Sequence, residues 1–243
     1  DPAYRNTLAA DLKAIPSISL SMPNSSLFGG SGIYDNSNQS GIAWERQGSV
    51  EFIFPDGRSD KQLMCGVRMQ GGVGRNASFP KHSFRLLFKR DYGDTKLRFP
   101  LFQDATEDAE GAVEKFDSII LRSGFNNSWH RGSSSEEQRA QYLRDQFIHN
   151  SQLAMGQASC HGTFFHLYLN GEYWGLYNSV ERPNADFGSS YYGGAKEEWD
   201  ALNSYPRNVV DGTANAWIQA HAIANAGVAD QAGYEALSQY VDI

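Results

Sequence analysis

Cysteine is scarce: Cys65 and Cys160 are the only two in 243 residues. Two separated thiols fit neither a disulfide scaffold nor a thiolate zinc site, which needs clustered Cys and His ligands. They read as two structural thiols or as one bridge, which leaves the redox compartment open. Long apolar runs are missing, since nothing approaches the ~18 consecutive residues of a membrane span. Internal repeats of roughly 20 to 50 residues are also lacking, which disfavours solenoids and propellers. So is a basic excess. Against 28 acidic residues stand 21 Lys and Arg, a formal charge of -7, which argues against a duplex nucleic-acid reader and confines any cationic site to a local cluster. Neither a Walker A nor a G-x-G-x-x-G pattern occurs. The six histidines (His82, His130, His149, His161, His166 and His221) show no H-E-x-x-H or other tight ligand spacing, so no metal site is read in this chain.

What is present points to a packed, loop-rich domain. Apolar residues make up 40%, aromatics 13%, and there are 24 glycines, a composition that excludes a disordered chain. The length suits one large domain or two small ones. The chain opens on Asp1 with neither an initiator Met nor a signal peptide, and its last residues, Tyr240-Val241-Asp242-Ile243, carry no helix stop signal. A piece of a longer protein, cut inside an element, is therefore expected.

The first two-thirds read mainly as strands, at 17–21, 50–54, 63–70, 82–88 and 118–122, separated by turn chemistry such as Pro55-Asp56-Gly57. A Gly/Ser/Asn-rich loop over 24–41 is long enough to be functional or mobile. Residues 104–114, acidic and rich in Ala and Gly, read as a solvated excursion. The clearest helix is 135–155, where Ser134-Ser135-Glu136-Glu137 has capping-box spacing and Gly156 sits at the C-terminal glycine position. Ala140, Leu143, Phe147, Ala154 and Met155 fall on one arc of it. Two strands follow, 163–169 and 173–181, joined by Asn170-Gly171, a strong hairpin signal. Beyond Pro183 the pattern turns helical, around 197–203, 214–226 and 231–241. Strands segregated from helices predict an α+β fold, with a sheet-rich region over 1–183 and the beginning of a helical one over 184–243.

The densest chemical feature is the stretch from Gly66 to Arg85. Alternation puts Gly66, Arg68 and Gln70 on one face of the first strand, and puts Lys81, Ser83 and Arg85 opposite Phe84, Leu86 and Phe88 on the second. Between them lies a turn with Gly71, Gly72, Gly74 and Arg75. Glycines let backbone N–H groups approach a polyanion while Lys and Arg neutralise it, so the hairpin could hold a nucleotide triphosphate. A solvated hairpin with surface cations is the plainer reading of the same residues. On the long helix, Arg144 falls on the apolar arc, where a cation needs a partner, with Asp145 at the margin. A structural bridge to a neighbouring acid would satisfy it; the alternative is a helix that delivers Arg144 or Asp145 to the nucleotide or to Lys81. Asp186-Phe187-Gly188 spells the metal-binding tripeptide of protein kinases, but it follows a strand end by only a few residues. No His-Arg-Asp precedes it, since His130-Arg131-Gly132 lacks the acid, so it reads as a helix N-terminus or turn.

Taken together, Gly66 to Arg85, Ile120-Leu121-Arg122, Tyr142-Leu143-Arg144-Asp145, the hairpin from Leu167 to Tyr177 and Val180-Glu181-Arg182-Pro183 resemble the CotH family of spore-coat-type atypical protein kinases. The shared pattern is a basic glycine turn, a Pro-Lys strand, an Asn-Gly-x-Tyr-x-Gly-x-Tyr hairpin and a following Glu, in this order, over about residues 16–203. Lys81-His82-Ser83-Phe84-Arg85 and Glu181-Arg182-Pro183 resemble the large multidomain CotH proteins of environmental bacteria in particular. The resemblance implies an atypical kinase-like fold, with an antiparallel-sheet lobe and one long helix covering ATP, then the first helices of a helical lobe. It implies that Gly71, Gly72 and Gly74 form the phosphate-covering turn and that Lys81 is the strand lysine. Asp145 or a nearby acid is then the lysine's helix partner, and Glu181 the hinge residue near the adenine. Arg68, Arg75, Arg85 and Arg144 would add phosphate contacts. The implied activity is transfer of the ATP γ-phosphoryl group to a protein Ser or Thr with Mg²⁺ or Mn²⁺, in an exported, extracellular or envelope-associated protein.

The family's Asn-x-Asp-Trp-type catalytic loop and its later metal-binding Asp are not found before Ile243, so the resemblance implies that this fragment is inactive alone. Two rivals stay open. One is a noncatalytic module that binds a glycan or protein through its aromatics and the 24–41 loop, and the other is an inactive kinase-like scaffold.

Overall fold

Alternation in the first part of the chain becomes a closed sheet. The computed structural model describes residues 2–57, 60–102, 111–128, 138–203 and 208–241. Contacts divide it into two compact units, Asp1–Arg182 and Pro183–Ile243. In the first, the elements run α1 (Leu8–Asp11), β1 (Ser17–Ser21), α2 (Asn24–Leu27), β2 (Arg46–Ile53), β3 (Lys61–Gln70), β4 (Ser83–Leu87), β5 (Leu97–Arg98), β6 (Lys115–Phe116), β7 (Ser118–Arg122), α3 (Arg144–Ala154), β8 (Gly162–Leu169) and β9 (Glu172–Glu181). Seven of the strands close into a barrel in the order β1-β2-β3-β4-β7-β9-β8. The fold is thus α+β, but the sheet is not wholly antiparallel, because β1 runs parallel to β8 where the barrel closes. Closure leaves these strands without the open edge that invites foreign pairing.

The barrel interior follows from the period of two. Ile18 lies opposite Phe52, Val67 opposite Leu86, Phe84 opposite Leu121 and Phe165 opposite Tyr177, and all eight side chains are buried in one apolar cluster. The same registers fix the outer face. Arg68 lies opposite Arg85, Gln70 opposite Ser83, and Arg122 opposite Asn178. Cys65 and Cys160 are both buried and free. Burial, reinforced by Glu45 for Cys65 and by Glu181 for Cys160, pushes each thiol up to about 12, so neither is a thiolate at neutral pH.

The long helix departs from its sequence reading. Residues 138–143 are not helical, and α3 begins only at Arg144. The capping-box residues 134–137, the segment 130–132 and most of the acidic excursion, its residues 104–110, lie outside the described residues. The face is also inverted. Leu143, Phe147, Ile148 and Met155 are 50% to 72% exposed, while the covered side carries Asp145, Gln146 and His149. The neighbouring strand explains this, for it presents polar groups rather than an apolar floor. Asn178 donates to Gln146 Oε1 at 2.9 Å, and Gln146 donates onward to Asn150 at 2.7 Å. The approach is close enough that a Cβ on Gly162 would lie 2.6 Å from Gln146 Oε1.

The second unit holds α4 (Ala185–Tyr192), β10 (Ala201–Asn203), β11 (Asn208–Asp211), α5 (Asn215–Ala226) and α6 (Gln231–Ser238). Asn184 caps α4 by accepting from the Phe187 N–H at 3.0 Å, so Asp186-Phe187-Gly188 is a helix start. The helix expected over 197–203 is instead a 3-10 turn, Lys196–Glu198, followed by β10 paired with β11. Trp199 ends the turn by packing on Gly188, where an added Cβ would come within 2.5 Å of the indole. No described helix is long and apolar enough to cross a membrane.

Candidate functional site

Lys81 is the chemically unusual residue of the barrel unit. It precedes β4 on a short connection whose next residue, His82, is buried, and its chain crosses toward β9. Its Nζ donates to the Leu176 carbonyl at 2.7 Å, and lies 4.4 Å from the Tyr177 ring centroid and 5.4 Å from that of Tyr142. Gly175, at φ 119°, leaves room for it, since a Cβ there would sit 3.4 Å from the ammonium. The Tyr-x-Gly-x-Tyr strand thus supplies the glycine, carbonyl and ring face that receive the lysine. No carboxylate pairs with Lys81 among the described residues. Burial therefore pulls the amine down to about 8, and among the described residues two aromatic faces and one carbonyl compensate it.

The glycine turn lies between β3 and Lys81. Gly71 takes φ 119°, and a Cβ on Gly72 would meet nothing within 4 Å, so the backbone there is open to a ligand. Gly74 packs on Phe125, whose ring would be 3.3 Å from an added Cβ. Its carbonyl lies 3.0 Å from His82 Nδ1, which as partner of a carbonyl must carry the proton. Burial, only partly offset by that carbonyl, holds His82 below its ordinary value and therefore neutral. Arg75 turns away from the open side. Its guanidinium donates to the carbonyls of Gly71, Asn38 and Gln39, while its own carbonyl accepts from the buried Ser37 hydroxyl at 2.7 Å.

The remaining predicted residues divide. Arg68 and Arg85 are cross-strand neighbours on the outer face, yet each has other company. Arg68 pairs with Glu45 at 2.5 Å, and that carboxylate also takes Lys89 at 2.8 Å and the Tyr92 hydroxyl at 2.7 Å. Arg85 donates to Ser118 at 3.2 Å. Asp145 does not meet Lys81; it pairs with Arg122 and accepts from Asn127. Arg144 is exposed, and among the described residues its one contact is the Arg139 carbonyl at 3.4 Å, so the cation thought to need a buried partner faces solvent. Glu181 is buried, where its Oε2 accepts from the His161 N–H at 2.8 Å and meets His161 Nδ1 at 2.9 Å. Its register partner, Ile119, points into the core.

Sequence reading gave no site role to Arg122, Asn127, Tyr142 or Tyr34. Arg122 and Tyr142 carried a signal, since both stand in the segments that resemble the family, whereas Tyr34 had none beyond being aromatic. The contact between the Gly74 carbonyl and His82 ties the glycine turn to the residue after Lys81, while Glu181 engages His161 and Arg144 faces solvent. A family model described as CotH kinase protein matches residues 67–238, more than two-thirds of the chain. Nothing among curated proteins matches.

Proposed function

We propose that this chain, which belongs to the CotH kinase protein family, is the nucleotide-binding part of an ATP-dependent protein Ser/Thr kinase. The observation that carries the reading is Lys81, a half-buried amine with no carboxylate partner among the described residues, which follows a glycine turn that is open at Gly72 and is tied through Gly74 to the neighbouring His82. A fold that buries a cation without an acid tolerates a standing cost, and an anionic ligand removes it. The polyphosphate of ATP has the charge for this, and glycine N–H groups suit its oxygens.

In the reaction the bond from the γ-phosphorus to the bridging oxygen of ADP breaks. A new one forms to a Ser or Thr hydroxyl, whose proton is released. Lys81 would draw off charge on the non-transferring phosphates, and the glycine turn would orient them. Mg²⁺ or Mn²⁺ would arrive with the nucleotide and neutralise its charge; the described residues contain no group of three or more acids, His or Cys suited to hold a metal by themselves. An exported or envelope-associated location is proposed on family grounds alone.

Calorimetric titration with Mg-ATP tests the reading. Saturable heat is expected for the unaltered chain and affinity at least about tenfold weaker for Lys81→Met, the loss of one charge-assisted contact. Equal affinity for the two proteins, or no heat from the folded unaltered chain, would overturn it.

A further inference from the structure

The segment 24–41 lies before the stretch matched by the family model, which starts at residue 67. It is neither an open patch nor a slack loop. Leu27, Ile33 and Ser37 are buried to within 1%. The segment closes on itself as Ile33 N donates to Ser26, Tyr34 N to Leu27 and the Asn36 side chain to Gly29 and Gly32, the pattern of a compact Ω-loop.

Part of the segment meets Asn170, Arg46 and Trp174, but the contacts of its second half reach the glycine turn and the residues flanking Lys81 on either side. Ser37 donates to the Arg75 carbonyl, and Arg75 answers with donors to Asn38 and Gln39 while also holding Gly71. The Tyr34 hydroxyl donates to the Pro80 carbonyl at 2.9 Å, and the Tyr34 ring meets His82 edge-on at 5.0 Å. Lys81 sits between those two gripped residues. Tyr34 is itself wedged against Trp174 of β9 at 5.3 Å, the same strand whose Leu176 carbonyl receives the lysine.

We infer that residues 24–41 are a brace that fixes the glycine turn and Lys81 in their ligand-ready arrangement, with Tyr34, Ser37 and Arg75 as positioning residues. The inference rests on the nucleotide-binding reading for its purpose but not for its geometry. A turn held in advance binds a phosphate without first losing backbone freedom. The Arg75 fork suits this task because one rigid group reaches three carbonyls, which a lysine cannot do.

The test uses the whole chain carrying Tyr34→Phe together with Arg75→Lys, changes that keep the ring contacts and the charge. Amide hydrogen exchange is followed over residues 71–80 and, for comparison, over β2 and β7. The apparent pKa of the Lys81 amine is read from the pH dependence of its acetylation. Among the described residues, the titratable side chains that face the amine are Tyr142 and Tyr177, with His82 beside it; the variant substitutes none of them and keeps the Tyr34 ring on His82. Expected are exchange in the turn faster by about 5- to 10-fold, unchanged exchange in the barrel strands, a Lys81 amine titrating nearer to the ordinary lysine value, and Mg-ATP affinity about 5-fold weaker. Unchanged turn exchange and an unmoved Lys81 titration would overturn the brace. So would acceleration spread equally over the barrel, which would mean that these residues serve global stability alone. If the unaltered chain binds no Mg-ATP, the nucleotide reading fails, while exchange and Lys81 titration still decide whether the brace exists.

Discussion

The site depends on one side chain whose position costs stability. Below pH about 8, Lys81 is charged both in the fold and in the unfolded chain, so the cost of burying it is fully present. Between that value and the ordinary lysine pKa of about 10.4, the unfolded chain binds the extra proton and stability rises with pH. Lys81→Met should therefore stabilise the protein at pH 7 by about 1 to 3 kcal/mol, allowing for the partial exposure of the amine, and the gain should shrink toward pH 10. Urea melts at the two pH values check this. Glu45 behaves oppositely. Burial pushes its carboxyl up, but hydrogen bonds from Lys89 and Tyr92 and the charges of Arg68 and Lys89 outweigh that and hold it below the usual range. Its contribution is present above about pH 4.3 and is lost as pH falls through the lowered value. Glu45→Gln, which leaves Arg68 and Lys89 without their shared acid, should cost about 3 to 5 kcal/mol at pH 7 and flatten the acid limb of a pH-stability profile.

At the scale of elements, α3 is the clearest case of a helix read with the wrong face inward. Phe147→Glu should change stability by no more than about 0.5 kcal/mol, because the ring is 72% exposed. Gln146→Ala removes two hydrogen bonds and leaves Asn178 with its weaker 3.3 Å contact to the Thr163 carbonyl, so about 1 to 3 kcal/mol is expected. Paired denaturation curves decide between the two faces. The strands were legible because alternation is local, and those expected at 17–21 and 118–122 match to the residue. The parallel closure of β1 on β8 was not, since nothing within Ser17–Ser21 marks so distant a partner. The face of α3 was misread because periodicity finds the apolar arc without revealing that the adjoining sheet is polar there. Arg75 was read as a phosphate ligand for a similar reason, as a cation in a glycine turn looks the same in sequence whether it meets phosphate or three carbonyls. Lys81 stood out because it lies just before a strand that alternates from Ser83 to Leu86.

For the whole molecule, two compact units imply two cooperative transitions rather than one. Mg-ATP at about one hundred times its dissociation constant should stabilise the unit Asp1–Arg182 by about 2.7 kcal/mol, visible by scanning calorimetry as an upward shift of several degrees in the barrel transition. The central claim, that Lys81 is the cation awaiting a polyphosphate, is tested most directly on the unaltered protein by acetylating its lysines at pH 8 with and without saturating Mg-ATP. Selective protection of Lys81, with Lys61 and Lys89 modified as before, is the expected result. A Lys81 amine that reacts at the same rate in both samples would contradict the claim.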